Sequence, residues 1–286
     1  MEKDSKHYPT AMQSIGLSLR LIVYSLIFGL GVVLIKSLMN IHAKPGHSII
    51  SVLGYVATMS LIIWIGFNKY RQTEGESLKL KFNKIPIQIL LVCIVMILMV
   101  SFIVDPLSLI FPPTGIWKKM FEDMTDTSFY TTITVVIAAP ILEEIFFRGI
   151  ILDGLMKNIS PWAAIFTSAA LFGVIHLNMW QALPAFLAGI LIGYLYWKTN
   201  SLIPGIVLHF TNNLFCVLVS LKFTKMNWFI ILVGTDAYIL SVICAFIIFI
   251  AGAIYLNWFF TKHPLSVGLE PVNLPNVSTE YLPTIE

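Results

Sequence analysis

The chain has 286 residues, 57% of them hydrophobic and 12% charged, with a formal net charge of +3 and a mean hydropathy of +0.85. Soluble domains carry about twice that charged fraction, and several apolar runs reach the roughly 18–20 residues that span a bilayer, so a soluble globular class is excluded. A net charge this small, spread among loops, leaves no footprint for nucleic acid.

In chain order, the opening stretch MEKDSKHYPTAMQSIGLSLR is too long and too polar for the head of a signal peptide. No small-residue cleavage site follows the first apolar run, which is expected as a retained helix. Helices are predicted near Leu21–Ile35, Ile49–Phe67, Ile87–Val104, Phe129–Leu152, Pro161–His176, Ala182–Trp197, Leu202–Leu221 and Tyr238–Phe260. This is an all-α, polytopic bundle of about eight transmembrane helices. Trp64, Trp180, Tyr196, Trp197, Trp228 and Trp258 fall near span ends, where aromatic rings favour the headgroup level.

Two segments are expected outside the bundle. Asp105–Ser128 carries a Pro-Pro break and a short amphipathic piece with Trp117, Met120 and Phe121, read as a loop in preference to an interfacial helix. The proline-rich, polar tail at 261–286 is expected to be disordered. Cys93, Cys216 and Cys244 all lie in apolar runs and are odd in number, which implies buried thiols and no disulfide framework. Lys69, Arg71, Lys79, Lys81 and Lys84 crowd the loop between the second and third helices. Short basic loops stay cytoplasmic, so both termini are expected on that side of a bacterial cell membrane.

A charged side chain at a helix centre costs roughly 2.5–3.5 kcal/mol on insertion scales, and such residues are usually paired or functional. Away from span ends the ionisable groups are Glu143, Glu144, Arg148, His176 and His209, joined by the carboxamides of Asn212 and Asn213. Residues four apart share a helix face, so Glu144 pairs with Arg148. Glu143 lies about 100° round the helix and needs another partner or a proton. The two histidines are the candidates: Phe172 and His176 share one face of the fifth helix, and His209 and Asn213 share one face of the seventh. Converging those faces gathers a carboxylate, two imidazoles and a carboxamide. That set can activate water and hold an oxyanion, which is the equipment for amide hydrolysis. Acid and histidine clusters also build proton relays, so an ion- or proton-coupled transporter is an alternative.

The runs EEIFFRG, FGVIH and HFTNN resemble the three motifs of the CPBP intramembrane protease family, Glu-Glu-x-x-x-Arg, Phe-x-x-x-His and His-x-x-x-Asn, over roughly Phe129 to Leu221. That family, sometimes labelled Abi, groups CAAX prenyl endopeptidases with bacteriocin-processing and self-immunity proteins. The resemblance divides the chain into N-terminal helices without a recognised motif (1–128), a catalytic core (129–221), a final transmembrane helix (222–260) and the cytoplasmic tail. It implies a membrane endopeptidase in which Glu143, aided by His176, activates water. Glu144 and Arg148 would brace the site, and His209 and Asn213 would hold the oxyanion. Two histidines and a glutamate could also ligate zinc, but no His-Glu-x-x-His helix is present, and the metal-independent glutamate mechanism is favoured.

The expected substrate is a membrane-associated peptide or protein cut at or near the cytoplasmic face. A CAAX-type protein, a peptide pheromone and a bacteriocin precursor all suit the site. A catalytically silent regulatory or immunity protein on the same scaffold is the other alternative. One geometric difficulty stands in the count of residues. At about 1.5 Å per residue, His209 lies some 10 Å along its helix and His176 more than 20 Å along its own. Upright helices would not bring both rings to Glu143 without tilt, or without a fifth helix that begins outside the bilayer.

Overall fold

The computed structural model describes residues 7–39, 49–115, 128–222 and 228–264. Among these there is no strand, only an isolated antiparallel bridge between Phe82 and Ser201. The helices are α1 (Ala11–Leu38), α2 (Ile49–Glu74), α3 (Ile87–Val104) and α4 (Pro106–Ile110), then α5 (Phe129–Ile133), α6 (Ala139–Glu144) and α7 (Asp153–Met156). They continue with α8 (Pro161–Val174), α9 (Met179–Thr199), α10 (Ile203–Lys222), α11 (Trp228–Val233) and α12 (Thr235–Lys262). Among the described residues six stretches are long and apolar enough to cross a bilayer: α1, α2, Ile87–Ile110, α9, α10 and α12. The protein is a multi-pass integral membrane protein, and each of the eight predicted segments is helical. The fourth and fifth, however, are not plain spans.

The first helix begins ten residues earlier than predicted. Thr10 caps it, its hydroxyl accepting from the Gln13 backbone N–H at 3.4 Å while the Gln13 side chain accepts from the Thr10 N–H at 2.8 Å. This reciprocal box satisfies two of the N–H groups that a helix start leaves open, so the polar first turns are helix and not loop. Asp105 was expected to open a loop but stays in the right-handed helical region at φ −53° and ψ −39°. Pro106 then occupies the first position of α4, where its missing N–H costs nothing, and the helix carries on to Ile110. Trp117, Met120, Phe121 and the tail beyond 264 lie outside the described residues. Of the three free thiols only Cys93 is buried; Cys216 and Cys244 are exposed on the helix bundle, because their helices turn those faces outward to lipid.

From Phe129 to Met156 the chain is helical throughout but changes pitch. α5 and α6 are joined by a π-helical turn, Thr134–Ala138, and a second π stretch, Ile145–Leu152, joins α6 to α7. The first has a visible cause in Pro140, which has no N–H to offer the preceding turn. The Ala139 N–H reaches back to Thr134 O, so Val135 O falls opposite the proline nitrogen and has no helical donor.

α8 has 14 residues, about 21 Å of helix, short of the roughly 30 Å hydrocarbon core. It ends at Val174, so His176 stands in the turn beyond it and not on it. Leu177 follows at φ 56°, and Asn178 caps α9 by accepting from the Gln181 N–H at 2.9 Å.

Side-chain contacts tie the two ends of the bundle differently. At one end Lys81 and Tyr196 both reach Asp153, and Lys157 donates to the Tyr70 hydroxyl at 2.9 Å. The Asn83 amide donates to Asn200 O at 2.8 Å. Residues 7–9 cross the same end as a strap: Glu74 accepts from the Tyr8 N–H at 2.7 Å, and the Asn158 amide donates to His7 O at 2.8 Å. Gly154 lets Tyr8 and Pro9 lie against it where any Cβ would collide. At the other end Trp180 donates to Phe111 O at 2.7 Å, and the Tyr238 hydroxyl donates to Asp105 at 2.9 Å.

Candidate active site

Glu144 and Arg148 are the most deeply buried charges of the site, at 0% and 1% exposure. The Arg148 guanidinium donates to Glu144 Oε1 at 2.9 Å, the expected pair one helical turn apart. It reaches Gly189 O at 3.4 Å and lies 4.8 Å above the centre of the Phe172 ring. Each contact offsets part of the cost of burying a cation. Glycines make room for the pair: a Cβ on Gly205 would fall 2.6 Å from Glu144 Oε2, and one on Gly189 would press on Ala169 at 3.0 Å.

α10 brings His209 to the same carboxylate. Its Nδ1 lies 3.1 Å from Glu144 Oε1, so one oxygen serves both Arg148 and the imidazole. An ionised carboxylate only accepts, so Nδ1 carries the proton. Nε2 is then the atom turned toward Glu143, 3.9 Å from its Oε2. That gap is beyond direct hydrogen bonding.

Glu143 is held from a second direction by a residue that sequence reasoning missed. The Tyr55 hydroxyl of α2 donates to Glu143 Oε1 at 2.8 Å. Tyr55 sits six residues into an apolar run, where it reads as one more aromatic near a span end. Its polar hydroxyl inside an apolar run was the available signal, since a buried tyrosine oxygen usually finds a partner.

His176 and Asn213 are placed near the site but turned to other partners. The Phe172 ring touches both imidazoles edge-on, with ring centres 5.4 Å from His176 and 5.5 Å from His209. His176 folds back from its turn so that Nδ1 lies 2.9 Å from Phe172 O. His176 Nδ1 is thereby turned to its own helix, and His209 Nε2 is the ring nitrogen that comes within 4 Å of Glu143. The Asn213 amide donates to Val135 O at 2.8 Å, supplying the donor that Pro140 lacks. Asn212 donates to Asn213 Oδ1 at 3.3 Å and accepts from Ser101 at 3.4 Å.

Among the described residues no group of three or more His, Cys, Asp or Glu side chains stands close enough together to hold a metal ion. The zinc donors suggested by sequence, Glu143, His176 and His209, do not fit one ion in this arrangement. Glu143 and His209 approach each other, while His176 faces its own helix.

The fold and this cluster define a multi-pass membrane protein in which Tyr55, Glu143, Glu144, Arg148 and His209 are gathered from α2, the 129–156 helix and α10. Residues 125–215 match the family model of Type II CAAX prenyl endopeptidase Rce1-like. The chain is also similar to a Bacillus subtilis (strain 168) protein named "Putative membrane peptidase YdiL", at 33% identity over 86 residues, 30% of this chain and 35% of that protein. The match thus spans about a third of the relative's length, and no solved structure matches. Over this segment the chain is similar to that endopeptidase family, and the runs EEIFFRG, FGVIH and HFTNN all lie within the matched residues.

Proposed function

We propose that the protein is an intramembrane endopeptidase that hydrolyses a peptide bond of a membrane-associated peptide or protein without a metal ion. The observation that supports it is the setting of Glu143. One of its oxygens is fixed by the Tyr55 hydroxyl, the other faces His209 Nε2 across 3.9 Å, and its side chain keeps 13% exposure beside a fully buried Glu144. A water molecule beside that gap touches both a base and a ring nitrogen.

In this reading Glu143 takes the proton of the water as its oxygen attacks the scissile carbonyl carbon. The oxyanion that forms accepts from the protonated Nε2 of His209 and from the Asn213 N–H that Val135 does not use. With Glu143 protonated, the oxyanion and the Glu144 carboxylate balance the Arg148 guanidinium and the His209 imidazolium, so the pocket is neutral, which suits a medium where net charge is costly. Glu143 next returns its proton to the leaving nitrogen as the C–N bond breaks, and both carboxylates end as they began. Glu144 and Arg148 position His209. His176, on the far edge of Phe172, bounds the space for substrate. General-base help of this kind contributes about 10²–10⁴ in rate.

Comparative peptidomics of cells carrying the native protein and the Glu143→Ala or Glu143→Gln variant tests the reading. Products present with the native protein and lost with both variants, at equal membrane levels, support it. Unchanged products with a folded, inserted Glu143→Ala protein refute it.

A further inference from the structure

The basic segment between α2 and α3 is fixed to the bundle along its length. Leu80 packs into the space that Gly149 leaves, where a Cβ would fall 2.9 Å from the leucine, and Lys81 is tied to Asp153. The Leu202 N–H donates to Lys81 O at 2.8 Å, and the Ser201 hydroxyl donates to Asn83 O at 2.7 Å. The Asn83 amide donates in turn to Thr199 O at 3.3 Å and Asn200 O at 2.8 Å. This frame sets charges together. Lys84 follows Asn83 and Lys198 precedes Thr199, so one hydrogen-bonded contact brings the two lysine positions side by side.

Like charges held near each other repel unless an anion stands between them. Among the described residues neither lysine has a carboxylate partner, and neither do Lys69, Arg71, Lys79 and Lys262. The nearby acids are already engaged: Asp153 by Lys81, Lys157 and Tyr196, and Glu74 by His7 and the Tyr8 N–H. Aromatic rings stand where counter-charges would. The Lys198 ammonium lies 3.8 Å over the Trp197 ring and 5.7 Å from the centre of Tyr194, and that of Lys262 lies 5.2 Å over Trp258. Trp162, at the start of α8, stacks on Tyr194 at 5.7 Å and meets Trp197 edge-on at 5.8 Å. Trp162 and Phe82 keep 47% and 53% exposure. A ring face attracts an ammonium but, unlike a carboxylate, leaves its charge to be met by an incoming anion.

We propose that the corner framed by Lys84 and Lys198 binds the headgroup of an anionic phospholipid, with the phosphate on the two ammonium groups and the glycerol and upper acyl chains against Trp162 and Trp197. The setting selects a lipid. These residues lie at the ends of α8 and α9, and tryptophan beside lysine suits the boundary where headgroups meet acyl chains. An acidic protein segment would answer the charges and leave the exposed rings uncovered. Lys69, Arg71 and Lys79, exposed and without acids of their own, add to the attraction for an anionic leaflet. The frame also joins this corner to the 129–156 helix through Lys81 and Asp153, so a lipid seated here rests on the element that carries Glu143.

The test is native mass spectrometry of the full-length protein in a neutral detergent, titrated with phosphatidylglycerol, phosphatidylcholine or water-soluble glycerol phosphate. Each cation beside an anionic headgroup contributes about fivefold in affinity. The native protein is therefore expected to hold phosphatidylglycerol about 25-fold more tightly than phosphatidylcholine. The joint variant Lys84→Gln and Lys198→Gln, which keeps Asn83 and Thr199, is expected to lose that preference with phosphatidylcholine binding unchanged. The joint variant Lys84→Arg and Lys198→Arg is expected to retain it, since guanidinium also holds phosphate. Equal binding of the two lipids by the native protein overturns the proposal without recourse to any variant. So does an unchanged preference in the folded glutamine variant. Displacement of the lipid by glycerol phosphate at equal concentration overturns it in favour of a soluble phosphate ester, and displacement by a polyglutamate peptide in favour of an acidic protein segment. The readout is binding, so it stands apart from the hydrolase reading.

Discussion

Glu144 and Arg148 were legible from spacing alone, since residues four apart on a helix face the same way. His209 was legible as a residue type that lipid does not tolerate unpaired. Its choice of Glu144 for Nδ1 was not, because that contact depends on how closely Gly205 lets α10 approach α6. Tyr55 was illegible for a different reason: nothing local distinguishes a tyrosine that anchors at the headgroups from one that orients a carboxylate 88 residues away. The Tyr55→Phe variant separates these roles. A hydrogen bond to a charged group contributes about 1.5–3 kcal/mol, so kcat is expected to fall by roughly 10- to 100-fold with KM little changed. A change confined to KM would make Tyr55 a substrate contact instead.

At the scale of elements, the pitch of the 129–156 helix was hidden from hydrophobic periodicity. That pattern reports which residues are apolar and not how a proline redistributes backbone hydrogen bonds. The end of α8 was nearer to being readable. Asn178 followed three residues later by Gln181 is the pattern of a helix start, and a start at 178 requires the preceding helix to stop before His176. The pairing of Asn213 with Val135 O yields a double-variant test. Asn213→Ala leaves a carbonyl without its donor, at a cost of about 1–3 kcal/mol, and lowers thermal stability in detergent. Adding Pro140→Ala returns an N–H to the helix and is expected to recover most of that loss. If activity returns along with stability, Asn213 serves the fold alone. If stability returns without activity, its second N–H is needed by the reaction.

For the whole molecule, composition and run length gave the class and the all-helical architecture, because crossing lipid restricts the backbone to very few solutions. Which apolar residues pack on protein could not be seen that way, as Phe146 or Ile150 reads the same beside protein as beside lipid. The outermost helix makes a related point. Leu26, Ile27 and Leu30 of α1 are 58%, 58% and 70% exposed, so much of α1 rests on the bilayer and not on protein. Its neighbour α2 carries Tyr55, and among the described residues its polar ties include those to Glu143, Lys157 and the strap. A solvent that mimics lipid poorly should therefore loosen this pair first. Extraction into a short-chain detergent is expected to extinguish hydrolysis while circular dichroism still reports near-complete helix, and return to liposomes to revive it; simultaneous loss of both signals would mean the outer pair is held by protein after all. The membrane, on this view, is the clamp that keeps the outer wall of the reaction chamber in place.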